Sequence, residues 1–194
     1  LHVDGAHGAS ALLSGKHRHR LRGLARARSI AWDPHKMMLL PLSAGVVLVR
    51  EERDLESAFA QRAPYLFHGG DGERVLDQGI RSFLCSRRAD VFKLWVSIQR
   101  YGADGLGALY DRLCDVAMTM HDLLVAHPSF VVLHAPESNI LCFRWVGDGS
   151  KSDDELDAIP RDLRERYNGS GAGLITPTNL DGRRVLRVTI MNPR

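Results

Sequence analysis

No long apolar run, no paired set of cysteines and no marked excess of either charge occur in these 194 residues. The longest strongly apolar stretch, Met37 to Val49, is broken by Pro41 and Ser43, which is too short and interrupted to cross a bilayer. Lys plus Arg number 26 against 23 Asp plus Glu, a net charge of +3, so composition gives little support for a dedicated nucleic-acid binder. The three cysteines, Cys85, Cys114 and Cys142, are odd in number and widely spaced. They read as reduced thiols, Cys85 and Cys142 as inert ones, which implies a cytoplasmic setting rather than a disulfide scaffold. A basic, apolar, small-residue leader is absent, and residue 1 is Leu rather than Met. The chain is therefore expected to be a piece cut from within a folded unit. His17 and His19 alternate without a third ligand nearby, so no metal site is expected.

What is present is an alternation of short strands and helices, which predicts an α/β arrangement. Leu1 to Asp4 and Ser29 to Trp32 read as strands, and the β-branched run Ala44 to Val49 reads as a fully buried one. Gly5 to Ser14 can turn into a helix, while Lys16 to Arg28 is basic and reads as a solvated loop. Gln61 to Arg81, with His68-Gly69-Gly70-Asp71-Gly72, lacks periodicity and reads as a long functional loop. Ala89 to Tyr101 has helical spacing with Trp95 expected in a core, and Gly102 just past its end. Leu106 to His127 is a second helix closed by Pro128. Strands at Phe130 to His134 and Ile140 to Val146 follow, then a helix from Ser152 to Tyr167 with acidic residues in its first turn. Strands near Gly173 to Thr176 and Arg184 to Met191 complete a small α+β region. The run Asn168 to Gly173 follows a helix and reads as its stop rather than as a phosphate cradle.

The chemistry concentrates in Asp33-Pro34-His35-Lys36, just after the strand ending at Trp32. A lysine at a strand end can act as an amine nucleophile. Asp4 ends another strand 32 residues earlier. If the two strands are parallel neighbours, both residues reach the carboxyl edge of one sheet, where ligands of α/β proteins bind. A carboxylate that keeps a pyridine nitrogen protonated and a lysine that bonds an aldehyde are what pyridoxal phosphate requires.

On these residues the sequence resembles the group II pyridoxal-phosphate-dependent amino acid decarboxylases, which act on glutamate, cysteine sulfinate, aromatic amino acids or diaminobutyrate. Six stretches carry the resemblance in order: HVDGAHG (2–8), SIAWDPHKMM (29–38), GVVLVR (45–50), PYLF (64–67), CSRRADVFKLW (85–95) and LRVTIMNP (186–193). The resemblance implies the second half of a type I, aspartate aminotransferase-like, large domain over 1–102, including a catalytic loop. A small α+β C-terminal domain, truncated at its end, would occupy 103–194. It implies decarboxylation of an L-amino acid to an amine and carbon dioxide, as part of a longer protein that forms a homodimer. Aminotransfer or carbon–sulfur cleavage on the same fold is the alternative enzyme reading. A non-catalytic fragment using the basic patch is the alternative outside enzymes.

By the same resemblance, Lys36 is the lysine that bonds the cofactor aldehyde and Asp4 partners the pyridine nitrogen. Ala6 lies near the ring face, and His35 lies beside the lysine near the phosphate. Tyr65 is the mobile-loop residue that reprotonates the substrate α-carbon. Arg187 is a substrate carboxylate ligand, in keeping with its guanidinium fork. Asp33 stands where several members carry Asn near the phosphate, and a carboxylate there would repel a phosphate. The family segment ahead of Asp4 supplies the phosphate cradle and a ring-stacking side chain, so residues 1–194 alone are expected to bind cofactor poorly.

Overall fold

A computed structural model describes residues 1–61, 63, 65 and 78–194. The chain is an α/β protein that divides into two compact units, Leu1–Gly107 and Ala108–Arg194.

The first unit is built on a three-stranded sheet in the order β1 (His2–Asp4), β2 (Ser29–Trp32), β3 (Val46–Val49). β1 and β2 are parallel, with Val3 opposite Ile30 and Asp4 opposite Ala31. β3 returns antiparallel to β2. The crossover from β1 to β2 runs through 3-10 turns at Gly8–Leu13, Arg18–Leu21 and Leu24–Arg26. The first of these buries Ala9, Ser10 and Ala11, whose small side chains let it lie close to the strands. Ser10 Oγ accepts from the Trp32 indole N–H at 2.8 Å, which fixes the end of β2 to the crossover. The arginines of the later turns are exposed, as the basic composition of the segment implies.

β3 corrects one expectation. The run was expected to be fully buried, yet Val47 is 56% and Leu48 49% exposed. Among the described residues β3 pairs with β2 alone and lies at the sheet edge, so apolar character here reports a surface without a described partner layer. A short helix, α1 (Arg53–Ala58), follows, tied to the start of β2 by the Arg28–Asp54 ion pair at 2.7 Å. The hydrogen bond from Arg28 holds the Asp54 carboxyl below its ordinary range. Of the long loop expected over 61–81, residues 62, 64 and 66–77 lie outside the described residues, His68 to Gly72 among them. Gln78–Arg81 forms a 3-10 turn.

α2 runs Val91–Val125 and breaks at Gly102, whose φ of 65° and ψ of 178° are non-helical. The expected stop at Gly102 is thus a kink between two helical stretches. Trp95 corrects a second expectation: it is 54% exposed rather than core, stacked on Phe92 with ring centroids 5.7 Å apart. Helical spacing shows that one face is apolar, but it does not show what covers that face.

The second unit holds an antiparallel sheet in the order β4 (Phe130–Val132), β5 (Ile140–Trp145), β7 (Arg183–Thr189), β6 (Thr176–Leu180). Its core is Leu141, Phe143, Ile175, Leu186 and Val188, with Leu163 and Met120 packed against it. Leu163 lies on α3 (Asp153–Gly169). That helix opens with a capping box: Ser152 Oγ accepts from the Glu155 N–H, and the Glu155 carboxylate accepts from the Ser152 N–H. Such a cap contributes about 1 kcal/mol. The Glu155 carboxyl is held below its ordinary range, first by the hydrogen bond it accepts from the Ser152 hydroxyl at 2.7 Å and then by that from the Ser152 N–H. Buried Arg144 on β5 bonds Asp153 and Asp157 of α3 at 3.1 and 2.7 Å, so its charge is paired as it leaves water. β6 begins where its strand was expected to end. It forms a two-residue hairpin with β7 through Asp181 and Gly182, both at positive φ (49° and 76°). Asp-Gly is the sequence that tolerates this turn.

Candidate active site

The site begins at the carboxyl edge of β1 and β2. Because these strands are parallel neighbours, Asp4 and the residues following Trp32 emerge at the same edge. After Asp4 the chain turns sharply. Gly5 N–H donates to the Ala31 carbonyl at 3.0 Å, and Ala6 N–H donates to Asp4 Oδ1 at 3.0 Å. One carboxylate oxygen therefore orders the turn, and the exposed side chain keeps further acceptor capacity.

Gly5 is required by close approach. A Cβ at this position would lie 2.8 Å from Ala9 Cβ and 3.0 Å from the Ala31 carbonyl oxygen. Gly5→Ala is expected to cost about 1–3 kcal/mol, the scale of overpacking, and to lower the melting temperature measured by circular dichroism. An unchanged melting temperature would show that the turn relaxes freely.

Beyond β2, Asp33 N–H donates to the Ala6 carbonyl at 3.1 Å, which joins the two strand ends directly. Pro34 and Met37 are fully buried, so the Asp33 to Met37 turn is anchored on both sides of Lys36. Lys36 N–H donates to the Asp33 carbonyl at 2.9 Å, and Lys36 Nζ lies 2.9 Å from Asp33 Oδ2. The Lys36 side chain is 39% exposed. His35 points its other way: its Nδ1 lies 2.7 Å from the Ala44 carbonyl oxygen and 3.2 Å from the Ala44 nitrogen, while Nε2 is 3.9 Å from Asp33 Oδ2.

A residue that sequence reasoning missed holds the far side of this loop. Lys93 Nζ donates to the Ser43 carbonyl at 2.7 Å and the Pro41 carbonyl at 3.3 Å, and pairs with Asp90 at 2.8 Å. The hydrogen bond from Lys93 keeps the Asp90 carboxyl below its ordinary range. The chain segment that follows Lys36 is thereby strapped to the start of α2. Both residues fall within the stretch at 85–95, but their partners lie about fifty positions away and no local signal names them.

Ala6 is half-buried in the turn after Asp4. Tyr65 is 77% exposed, and its neighbours Pro64, Leu66 and Phe67 lie outside the described residues. Arg187 belongs to the second unit, in β7, with Cys142 of β5 and Thr176 of β6 as register partners. Burial pushes the Cys142 thiol above its ordinary range against the opposing Arg187 charge, which keeps it an unreactive thiol. Among the described residues no helix is long and apolar enough to cross a membrane, and no group of three metal-ligating side chains gathers.

Comparison with known proteins agrees on one family. The profile of the pyridoxal-dependent decarboxylase conserved domain matches residues 1–146. Acidic amino acid decarboxylase GADL1 of Mus musculus is 36% identical over 171 residues, covering 87% of this chain and 29% of the relative. L-2,4-diaminobutyrate decarboxylase of Rhizobium meliloti is 34% identical over 201 residues, covering the whole chain and 39% of the relative. The chain thus spans between about three and four tenths of the length of these relatives. Among solved structures, mouse CSAD in apo form superposes with a TM-score of 0.86 at 28% identity, covering 99% of this chain and 41% of that one. Oryza sativa TDC with PLP and tryptamine gives 0.89 at 28% identity, covering 97% and 39%.

Proposed function

The chain belongs to the pyridoxal-dependent decarboxylase family, and from that premise we propose that it forms part of an enzyme releasing carbon dioxide from an L-amino acid to leave the amine. Residues 1–102 are read as the second half of a type I large domain and 103–194 as the small C-terminal domain of a homodimeric subunit. The observation that carries the reading is the shared carboxyl edge of β1 and β2, where Asp4 and Lys36 stand.

The donor set fits the pyridine-aldehyde part of pyridoxal phosphate. A pyridine aldehyde needs one amine and one carboxylate, and this edge offers one half-exposed amine and one exposed carboxylate. Bound there, the cofactor would supply an electron-withdrawing pyridinium ring able to stabilise negative charge developing at the substrate α-carbon. Lys36 is the amine that would hold the cofactor aldehyde. Asp4 holds a proton at the ring nitrogen, and its charge keeps that nitrogen positive. Ala6 offers a small side chain beside the ring, and His35, locked by Ala44, presents a fixed imidazole edge next to Lys36. Tyr65 delivers a proton to the substrate α-carbon, and Arg187 takes a substrate carboxylate by its guanidinium fork. Arg187 and the relative named for acidic amino acids together favour a small acidic substrate.

Product analysis of the full-length protein carrying these residues tests the reading. Supplied with pyridoxal phosphate and a panel of L-aspartate, L-glutamate, cysteine sulfinate, 2,4-diaminobutyrate and L-tryptophan, it is expected to yield an amine and carbon dioxide in equal amounts. A keto acid or sulfide as the main product from every substrate would assign aminotransfer or carbon–sulfur cleavage instead. Tyr65→Phe is expected to lower amine formation by about 10²-fold or more, the scale of one general-acid group, while cofactor binding stays intact. Normal amine formation by that variant would remove Tyr65 from the mechanism.

A further inference from the structure

Lys36 would have two duties in the proposed reaction: to hold the cofactor, and to stay close to it when not bonded to it. A four-carbon stem with three rotatable donors does not stay in one place unaided. We propose that Asp33 is the positioning residue for Lys36, its carboxylate receiving the Lys36 ammonium whenever that amine is not bonded to cofactor. The proposal rests on the assignment of Lys36 as the cofactor lysine.

The pair is built into the fold. Asp33 Oδ2 lies 2.9 Å from Lys36 Nζ, three residues along the same turn. The Asp33 backbone is fixed at both ends, its N–H on the Ala6 carbonyl and its carbonyl on the Lys36 N–H. Fully buried Pro34 and Met37 hold the turn between and beyond them. His35 approaches the same carboxylate oxygen at 3.9 Å, but its Nδ1 is committed to Ala44, so the imidazole does not displace the ammonium. Gly45 leaves room for the other oxygen: a Cβ there would come within 3.3 Å of Asp33 Oδ1. Exposed ion pairs contribute little because two mobile side chains must be ordered to make them. Here the carboxylate end is ordered already, three-quarters buried on an anchored turn. Holding the side chain in one place leaves less conformational freedom to be lost when it returns to the aldehyde.

Site-resolved acetylation of lysines, read by mass spectrometry on the full-length protein before cofactor is added, tests this. Exposed Lys151 serves as the reference and Lys93, strapped elsewhere in the same unit, reports local loosening. Asp33→Asn, which keeps the shape and removes the charge, is expected to raise the Lys36-to-Lys151 labelling ratio about three- to fivefold, the scale of such a pair. Lys93 labelling stays unchanged, and Asp33→Glu restores the ratio to within about twofold of the wild type. An unchanged ratio in Asp33→Asn, or a rise shared by Lys93, overturns the proposal. Pyridoxal phosphate followed by borohydride is a separate arm. Failure to block Lys36 there counts against the cofactor assignment, whereas the labelling ratio judges Asp33 by itself.

Discussion

Lys36→Ala in the full-length protein is expected to remove the visible cofactor band and to lower amine formation by on the order of 10⁴-fold. The expectation follows from chemistry that no neighbouring side chain can replace. The other lysine of the first unit near this loop, Lys93, is occupied by two carbonyls and the Asp90 carboxylate. Lys36→Arg separates the two roles given to this position. A guanidinium still pairs with Asp33 and keeps the turn's charge balance, but it does not bond an aldehyde. The arginine variant is therefore expected to fold with a wild-type melting temperature and to be as inactive as the alanine variant. Absorbance titration with pyridoxal phosphate, with circular dichroism as the fold control, reads both. A full-intensity band in Lys36→Ala would mean that another amine bonds the cofactor, and the assignment of the site would fall.

The parts of this site legible in the sequence are those written locally. Asp4 ends one short strand and Lys36 follows another, and the crossover between the strands is long enough for a parallel pair, so their shared edge could be read before any coordinates. The Ser152 and Glu155 cap and the Gly102 break are equally local. What escaped was set by partners distant in the chain or by surfaces. Lys93 straps Ser43 across fifty positions, and nothing at either end announces the other. Trp95 and Leu48 were read as buried because periodicity measures apolarity, while burial depends on a neighbouring layer. Asp33 is the instructive case. In isolation its charge signals only repulsion of a phosphate. Its distance to Lys36 gives it a partner that a sequence three residues apart permits but does not require. The β6–β7 hairpin was a missed local signal: Asp181-Gly182 is a dipeptide suited to a two-residue hairpin turn, although neither TPTNL (176–180) nor RRVLRVT (183–189) alternates cleanly.

Asp4→Asn is expected to bind cofactor and yet lose about 10²- to 10³-fold in turnover, the effect of removing one group that stabilises developing charge. The substitution isolates that charge. Asp4 Oδ1 accepts the Ala6 N–H at 3.0 Å, and an asparagine carbonyl oxygen can accept the same bond, so the turn that leads to Gly5 and Ala6 survives. Asp4→Ala loses both the charge and the bond, and its additional effect on melting temperature measures the bond alone, about 0.5–1.5 kcal/mol. Turnover that falls in Asp4→Asn with stability unchanged, and falls no further in Asp4→Ala once the folded fraction is matched, places the whole catalytic effect on the carboxylate charge. Turnover near wild type in Asp4→Asn would deny Asp4 the ring nitrogen. The carboxyl edge of β1 would then serve the fold through its turn, and the charge that keeps the nitrogen protonated would have to come from another residue.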